Sequence, residues 1–195
     1  MFSDFWFNLK LGLFHVLDWN AYDHILFLIA LVVAYTFSHA KRVFWLVSIF
    51  TLGHTLSLIL AAYKVIEINN IWIEFLIPVS ILFTALYNII FAKSNIANQK
   101  INALYGFTLF FGLIHGFGFS YYFNMISKGT ESKLLMLIEF ALGVEFSQVL
   151  VVIPVLFIGY IAQNIFRFSK NDWILISSSI VIGLCIPILR ETWIW

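Results

Sequence analysis

Residues able to hold a metal ion occur here in surroundings that would normally exclude them. Asp23 and His24 precede an apolar run, His54 and His115 each sit inside one, and Glu139 and Glu145 interrupt the long stretch from Leu134 to Phe157. An ionisable side chain deep in a bilayer costs at least a few kcal/mol, so such groups face the interior of a bundle or water. Imidazole and carboxylate together suit zinc, nickel, copper, cobalt or iron, whereas magnesium and calcium call for oxygen ligands alone. The chemistry implied is the binding of a divalent transition metal.

Local pattern sharpens the candidates. In Thr51-Leu52-Gly53-His54-Thr55-Leu56-Ser57 the polar residues recur at helical steps, so His54 turns toward protein rather than lipid. In Gly112-Leu113-Ile114-His115-Gly116-Phe117-Gly118 three glycines surround one histidine, which permits close helix approach or a local break. Glu145 and Gln148 lie one turn apart, so Gln148 either supports the carboxylate or binds beside it. Blander readings stand next to these. Asn20-Ala21-Tyr22-Asp23 resembles a capping box with Asp in place of Glu. A lone buried histidine can serve as an interhelical hydrogen bond. Glu74 and Glu139 lie near span ends and can reach the interface, and His39, beside Lys41 and Arg42, reads as a solvated loop residue. His15 is open between an interfacial side chain and a ligand folded back over the site.

The elements that must position these groups are membrane helices. Hydrophobic residues make up 62% of the 195 positions, charged residues 11%, and mean hydropathy is +0.97. Several apolar runs reach the roughly 20 residues that cross about 30 Å of hydrocarbon. The short alternating segments of a transmembrane barrel are absent. The expected fold is an all-α membrane bundle of about six transmembrane helices, forming a single integral-membrane domain over residues 1–195. The spans fall at about 20–38, 43–63, 71–92, 101–125, 133–161 and 173–189. The N-terminal stretch to Leu17 is short for a span and has no signal-peptide cleavage pattern, so a short interfacial or half-inserted helix is expected there.

Depth tests whether one site is feasible. At 1.5 Å per residue from the outer face, Asp23 and His24 lie about 5 Å in, Glu139 about 9 Å and His54 about 14 Å. On the same scale His115 lies about 15 Å in and Glu145 about 18 Å. All fall in the outer half or at the midplane although the spans alternate in direction; Asn88 is the inner-half exception.

A net charge of +1 without a long basic run removes the footprint of a nucleic-acid binder. The single cysteine, Cys185, leaves no disulfide or cysteine metal motif within the chain. Trp19, Tyr22, Trp45, Tyr63, Trp72, Tyr121, Tyr122, Trp173, Trp193 and Trp195 mark span edges as interfacial aromatics do. Lys41, Arg42, Lys93, Lys100, Arg167 and Lys170 fall on one face; Lys10, Lys64, Lys128, Lys133 and Arg190 fall on the other. That small excess assigns the first face to the cytoplasm and both termini to the outside.

Assembled in order, these segments resemble the HupE/UreJ family of membrane proteins. The likeness runs through Phe14-His15, Asp23-His24-Ile25-Leu26-Phe27-Leu28, the Phe50 to Leu58 block, Tyr87-Asn88, Gly112 to Phe119, and Leu142 to Gln148. The linker from Val16 to Tyr22 is longer than the family's pattern. The resemblance implies hydrogenase or urease accessory function and uptake of nickel, or of cobalt, across a bacterial-type inner (plasma) membrane, with metallochaperones or metalloenzyme-maturation proteins as partners.

Two functions follow from the residues. In a permease, Asp23, His24, His54, His115 and Glu145 capture a divalent ion from the outer side, with His15 and Gln148 as further ligands, and helix movement passes it inward. In an intramembrane metalloenzyme, a hydrolase or oxidoreductase, three ligands hold zinc, copper or iron, an open position takes water or substrate, and Glu145 or Asp23 is the general base. A metal-binding sensor or assembly factor is a third.

Overall fold

The computed structural model describes residues 2–94, 101–130 and 132–194; Lys100 and Trp195 lie outside the described residues. The helices are α1 (Phe2–Val16), α2 (Asp23–Val32), α3 (Ala40–Ala62), α4 (Asn70–Ile90), α5 (Ile101–Ile126), α6 (Lys133–Asn164) and α7 (Lys170–Glu191), with a 3-10 turn at Phe37–His39. No strand occurs among the described residues. α3 to α7 are each long and apolar enough to cross a membrane, as a multi-pass membrane protein requires.

The helix ends follow from local chemistry. Asn69 accepts the Ile71 N–H to start α4, Ser132 accepts the Leu135 N–H to start α6, and Ser169 with Asp172 forms a capping box on α7. α3 and α6 stop where Lys64 (φ 56°) and Arg167 (φ 58°) turn left-handed. The Val65 N–H then reaches the Leu60 carbonyl at 2.8 Å, and the Phe168 N–H reaches Ala162 at 3.0 Å, closing the last turns.

The segment expected as a first span differs from a full crossing. α2 has ten residues, about 15 Å of helix, half of what the hydrocarbon demands. It can stop inside the bundle because distant side chains satisfy its end. Asn88 donates to the Ala30 carbonyl at 2.6 Å, and Trp173 donates to the Val33 carbonyl at 3.1 Å. Val33, Ala34 and Tyr35 remain buried as they leave the helix. α2 is the central element, packed among α4, α6 and α7.

Two glycine contacts bring the site-bearing helices together. α1 runs alongside α6, where a methyl on Gly12 would strike the Phe140 carbonyl and one on Gly143 the Leu9 carbonyl. Asp4 and Ser132 line one cavity near the start of both helices, so the two run in the same direction. α3 packs on α5 in the same manner. Gly53 faces the Leu109 carbonyl, Gly112 the Phe50 carbonyl, and Gly116 the His54 carbonyl and Ser57 hydroxyl. Such small-residue contacts let membrane helices approach backbone to backbone. Lys133 donates to the Ala62 carbonyl and Asn124 to that of Ala61, so the end of α3, the end of α5 and the start of α6 share one end of the bundle.

Candidate metal centre

Four imidazoles meet in the bundle. His15 comes from the last turn of α1, His24 from the first turn of α2, His54 from α3 and His115 from α5. The His15 ring centroid lies 4.6 Å from His24 and 5.4 Å from His54, and His24 lies 5.7 Å from His54 and 5.1 Å from His115. Asp23 adds a carboxylate whose Oδ1 is 3.3 Å from His24 Nδ1. Two groups have ligand atoms mutually within 4.8 Å: His15, His24 and His54, and Asp23, His24 and His115.

Five imidazole nitrogens in this group have no hydrogen-bond partner. His54 and His115 are 0% and 1% exposed. Both His54 nitrogens, His115 Nδ1, His24 Nε2 and His15 Nε2 are buried without a hydrogen-bond partner. Buried polar atoms are normally paired, so these imidazole nitrogens are open to a water molecule or an ion. Ser80 on α4 explains the form of His115. Its hydroxyl proton goes to the Ile77 carbonyl at 2.7 Å, leaving Oγ to accept from His115 Nε2–H at 3.1 Å. The lone pair therefore stays on Nδ1, the nitrogen that has no partner. Ser80 was not singled out in the sequence; the signal was a hydroxyl in an apolar helix, one turn before Thr84 and at the depth of His115.

Aromatic rings wall the cluster. Phe119 stacks on Phe140 at 5.1 Å, His15 lies 4.0 Å from Phe119, and Phe50 lies 5.2 Å from His115. A cavity of about 550 Å³ leads to the group; His15, Asp23, His24 and His115 line it, with Asp18 and Glu74 further out. Asp18 carries no helical pattern and was legible only as an acid in the linker.

His24 does not lie near the outer face as a continuous first span would put it. Because α2 begins within the bundle, His24 reaches the level of His115, eleven residues or about 16 Å from the end of α5. The linker from Leu17 to Tyr22 returns the chain from α1 to α2 so that His15 and His24 touch. The other acids are elsewhere. Glu145 accepts a short hydrogen bond from Ser48 and belongs to neither group. Gln148 is fully buried with both amide atoms unpartnered. Glu139 is 8% exposed and accepts from Asn8 at 2.7 Å, held by α1 rather than reaching out. Glu74 is exposed, and His39 contacts Thr36 and Ser38.

In this helical bundle, buried imidazoles and a carboxylate grouped at the foot of a cavity form a donor set that suits a divalent transition metal. The family model described as HupE / UreJ protein matches residues 2–190, and the chain belongs to the HupE/UreJ family. No curated protein and no solved structure matches it. The family suggests a membrane transport or accessory role for nickel or cobalt.

Proposed function

We propose that this chain is a divalent transition-metal permease of a bacterial-type inner membrane, with nickel or cobalt as cargo. The observation that carries the reading is the set of buried, unpartnered imidazole nitrogens beside Asp23 at the foot of the cavity. A neutral imidazole lone pair with no hydrogen-bond donor nearby is the ligand a transition metal takes. Asp23, His24, His54, His115 and His15 receive the ion from the cavity. Glu145 and Gln148, further along α6, take it on the inward side, where cytoplasmic metallochaperones or maturation proteins collect it.

α1 and α2 together form one broken crossing, making six with α3 to α7. α1 enters beside the start of α6, and α2 ends where Asn88 and Trp173 hold it. Discontinuous helices of this kind present ends and side chains to cargo near the bilayer midplane. The weak excess of positive charge puts the cavity on the outer side and the Ala40 end of α3 in the cytoplasm.

The enzyme reading draws on one feature: Asp23, His24 and His115 line the cavity together, as three ligands with an open position would. Uptake separates the two. Purified protein in lipid vesicles loaded with a metal-sensitive dye is expected to admit Ni(II) or Co(II), and His24→Ala to abolish entry while His39→Ala does not. Metal bound at full stoichiometry by the unaltered protein with no entry would reject the permease and leave the enzyme.

A further inference from the structure

The two ligand groups have only His24 in common, and this carries a finer reading that rests on the permease proposed above. Two ligands on one ion, each at about 2.0–2.2 Å, stand no more than about 4.4 Å apart. Within each group the ligand atoms lie within 4.8 Å of one another, and His54 and His115 fall into different groups. The Phe50 ring stands against His115, His24 and His54 at 5.2, 6.2 and 6.4 Å. The groups also differ in access. Asp23, His24 and His115 all line the cavity, and so does His15, whereas His54 of the second group does not and has no exposed surface.

His24 is the shared ligand, and its ring limits how it can be shared. A neutral imidazole offers a lone pair on one nitrogen while the other carries the proton. Nδ1 lies 3.3 Å from Asp23 Oδ1, on the side of the cavity group. Nε2 is buried and has no partner. The two nitrogens of an imidazole ring point apart, so His24 serves one ion in one group at a time.

We infer that the ion occupies two positions in alternation: first Asp23, His24 and His115 at the cavity, then His15, His24 and His54 behind it. His24, the one ligand common to both positions, stays on the ion as Asp23 and His115 give way to His15 and His54. The cargo this arrangement accepts is a divalent ion that tolerates two or three imidazoles and a low coordination number.

The test uses the full chain in detergent with Co(II) as the probe, read by titration and X-ray absorption. The unaltered protein is expected to bind one ion with an average of between two and three imidazoles. His54→Gln should keep one ion on two imidazoles and a carboxylate, and His115→Gln one ion on three imidazoles. His24→Ala should bind none, and all three variants should lose vesicle uptake. Four imidazoles on one ion, two ions bound at once, or loss of binding in either single glutamine variant overturns the alternation. The imidazole count of the unaltered protein decides the matter without depending on any variant's folding. Failure of the unaltered protein to bind Co(II) at all would instead remove the permease reading.

Discussion

At the scale of residues, what matters is which atom of each side chain is left free. Ser80 spends its proton on Ile77 and accepts from His115, so His115 presents Nδ1 and no other nitrogen. Removing an outer partner of a metal-ligating histidine weakens binding on the order of 10–100-fold. Ser80→Ala, introduced into His54→Gln protein where the cavity group acts alone, is expected to show a loss of that size in a competition titration. Unchanged affinity would mean that Ser80 does not set the His115 tautomer. Glu145 separates roles by another route. Its carboxylate is bonded to Ser48 and stands outside both ligand groups. Glu145→Gln is therefore expected to leave Co(II) stoichiometry at the histidines intact and to slow uptake into vesicles, because an amide is a poorer ligand than a carboxylate on the inward path. Normal uptake would return Glu145 to a half-buried acid paired with Ser48.

At the scale of elements, glycines decide whether the imidazoles can meet. His54 and His115 belong to α3 and α5, which approach through Gly53, Gly112 and Gly116. A methyl at Gly116 would run into the His54 carbonyl and the Ser57 hydroxyl, both buried. Gly116→Ala is expected to destabilise the protein by about 1–3 kcal/mol, the usual cost of overpacking, read as a fall in thermal midpoint in detergent. Gly143→Ala acts on a different contact, since its methyl meets the Leu9 carbonyl of α1. Displacing α1 carries His15 away from His24 and His54, so the three-imidazole signature of His115→Gln protein should drop toward two when Gly143→Ala is added. Retention of three imidazoles would mean that α1 is held in place by other contacts.

At the scale of the whole molecule, the crossing proposed for α1 and α2 makes a sided prediction. Asp4 and Ser132 line one cavity, while Ser169 caps α7 at the end where Trp173 meets Val33. Cys185 is buried, so an introduced cysteine reports with little background. In oriented membranes, Asp4→Cys and Ser132→Cys are expected to react with an impermeant thiol reagent from one side, and Ser169→Cys from the other. Labelling of Asp4→Cys and Ser132→Cys from opposite sides would overturn the crossing formed by α1 and α2.

What the sequence determined by itself follows from the solvent. Lipid demands long apolar helices and makes each buried histidine or acid costly, so the helical class and the residues His24, His54, His115 and Asp23 could be read from type and spacing. Family membership was legible through ordered blocks between Phe14 and Gln148, and the family model matches residues 2–190. Tertiary structure decided the rest, because the deciding partners are distant along the chain. α2 ends after ten residues because Asn88 and Trp173 satisfy its carbonyls, and no local signal announces either donor. His15 joins the group because Gly12 and Gly143 let α1 lie against α6, which spacing to Asp23 could not reveal. Glu139 turns to Asn8 and Glu145 to Ser48, although depth alone had placed both near the histidines. Depth orders residues along the membrane normal, and only the packing of helices fixes which of those at one depth face each other.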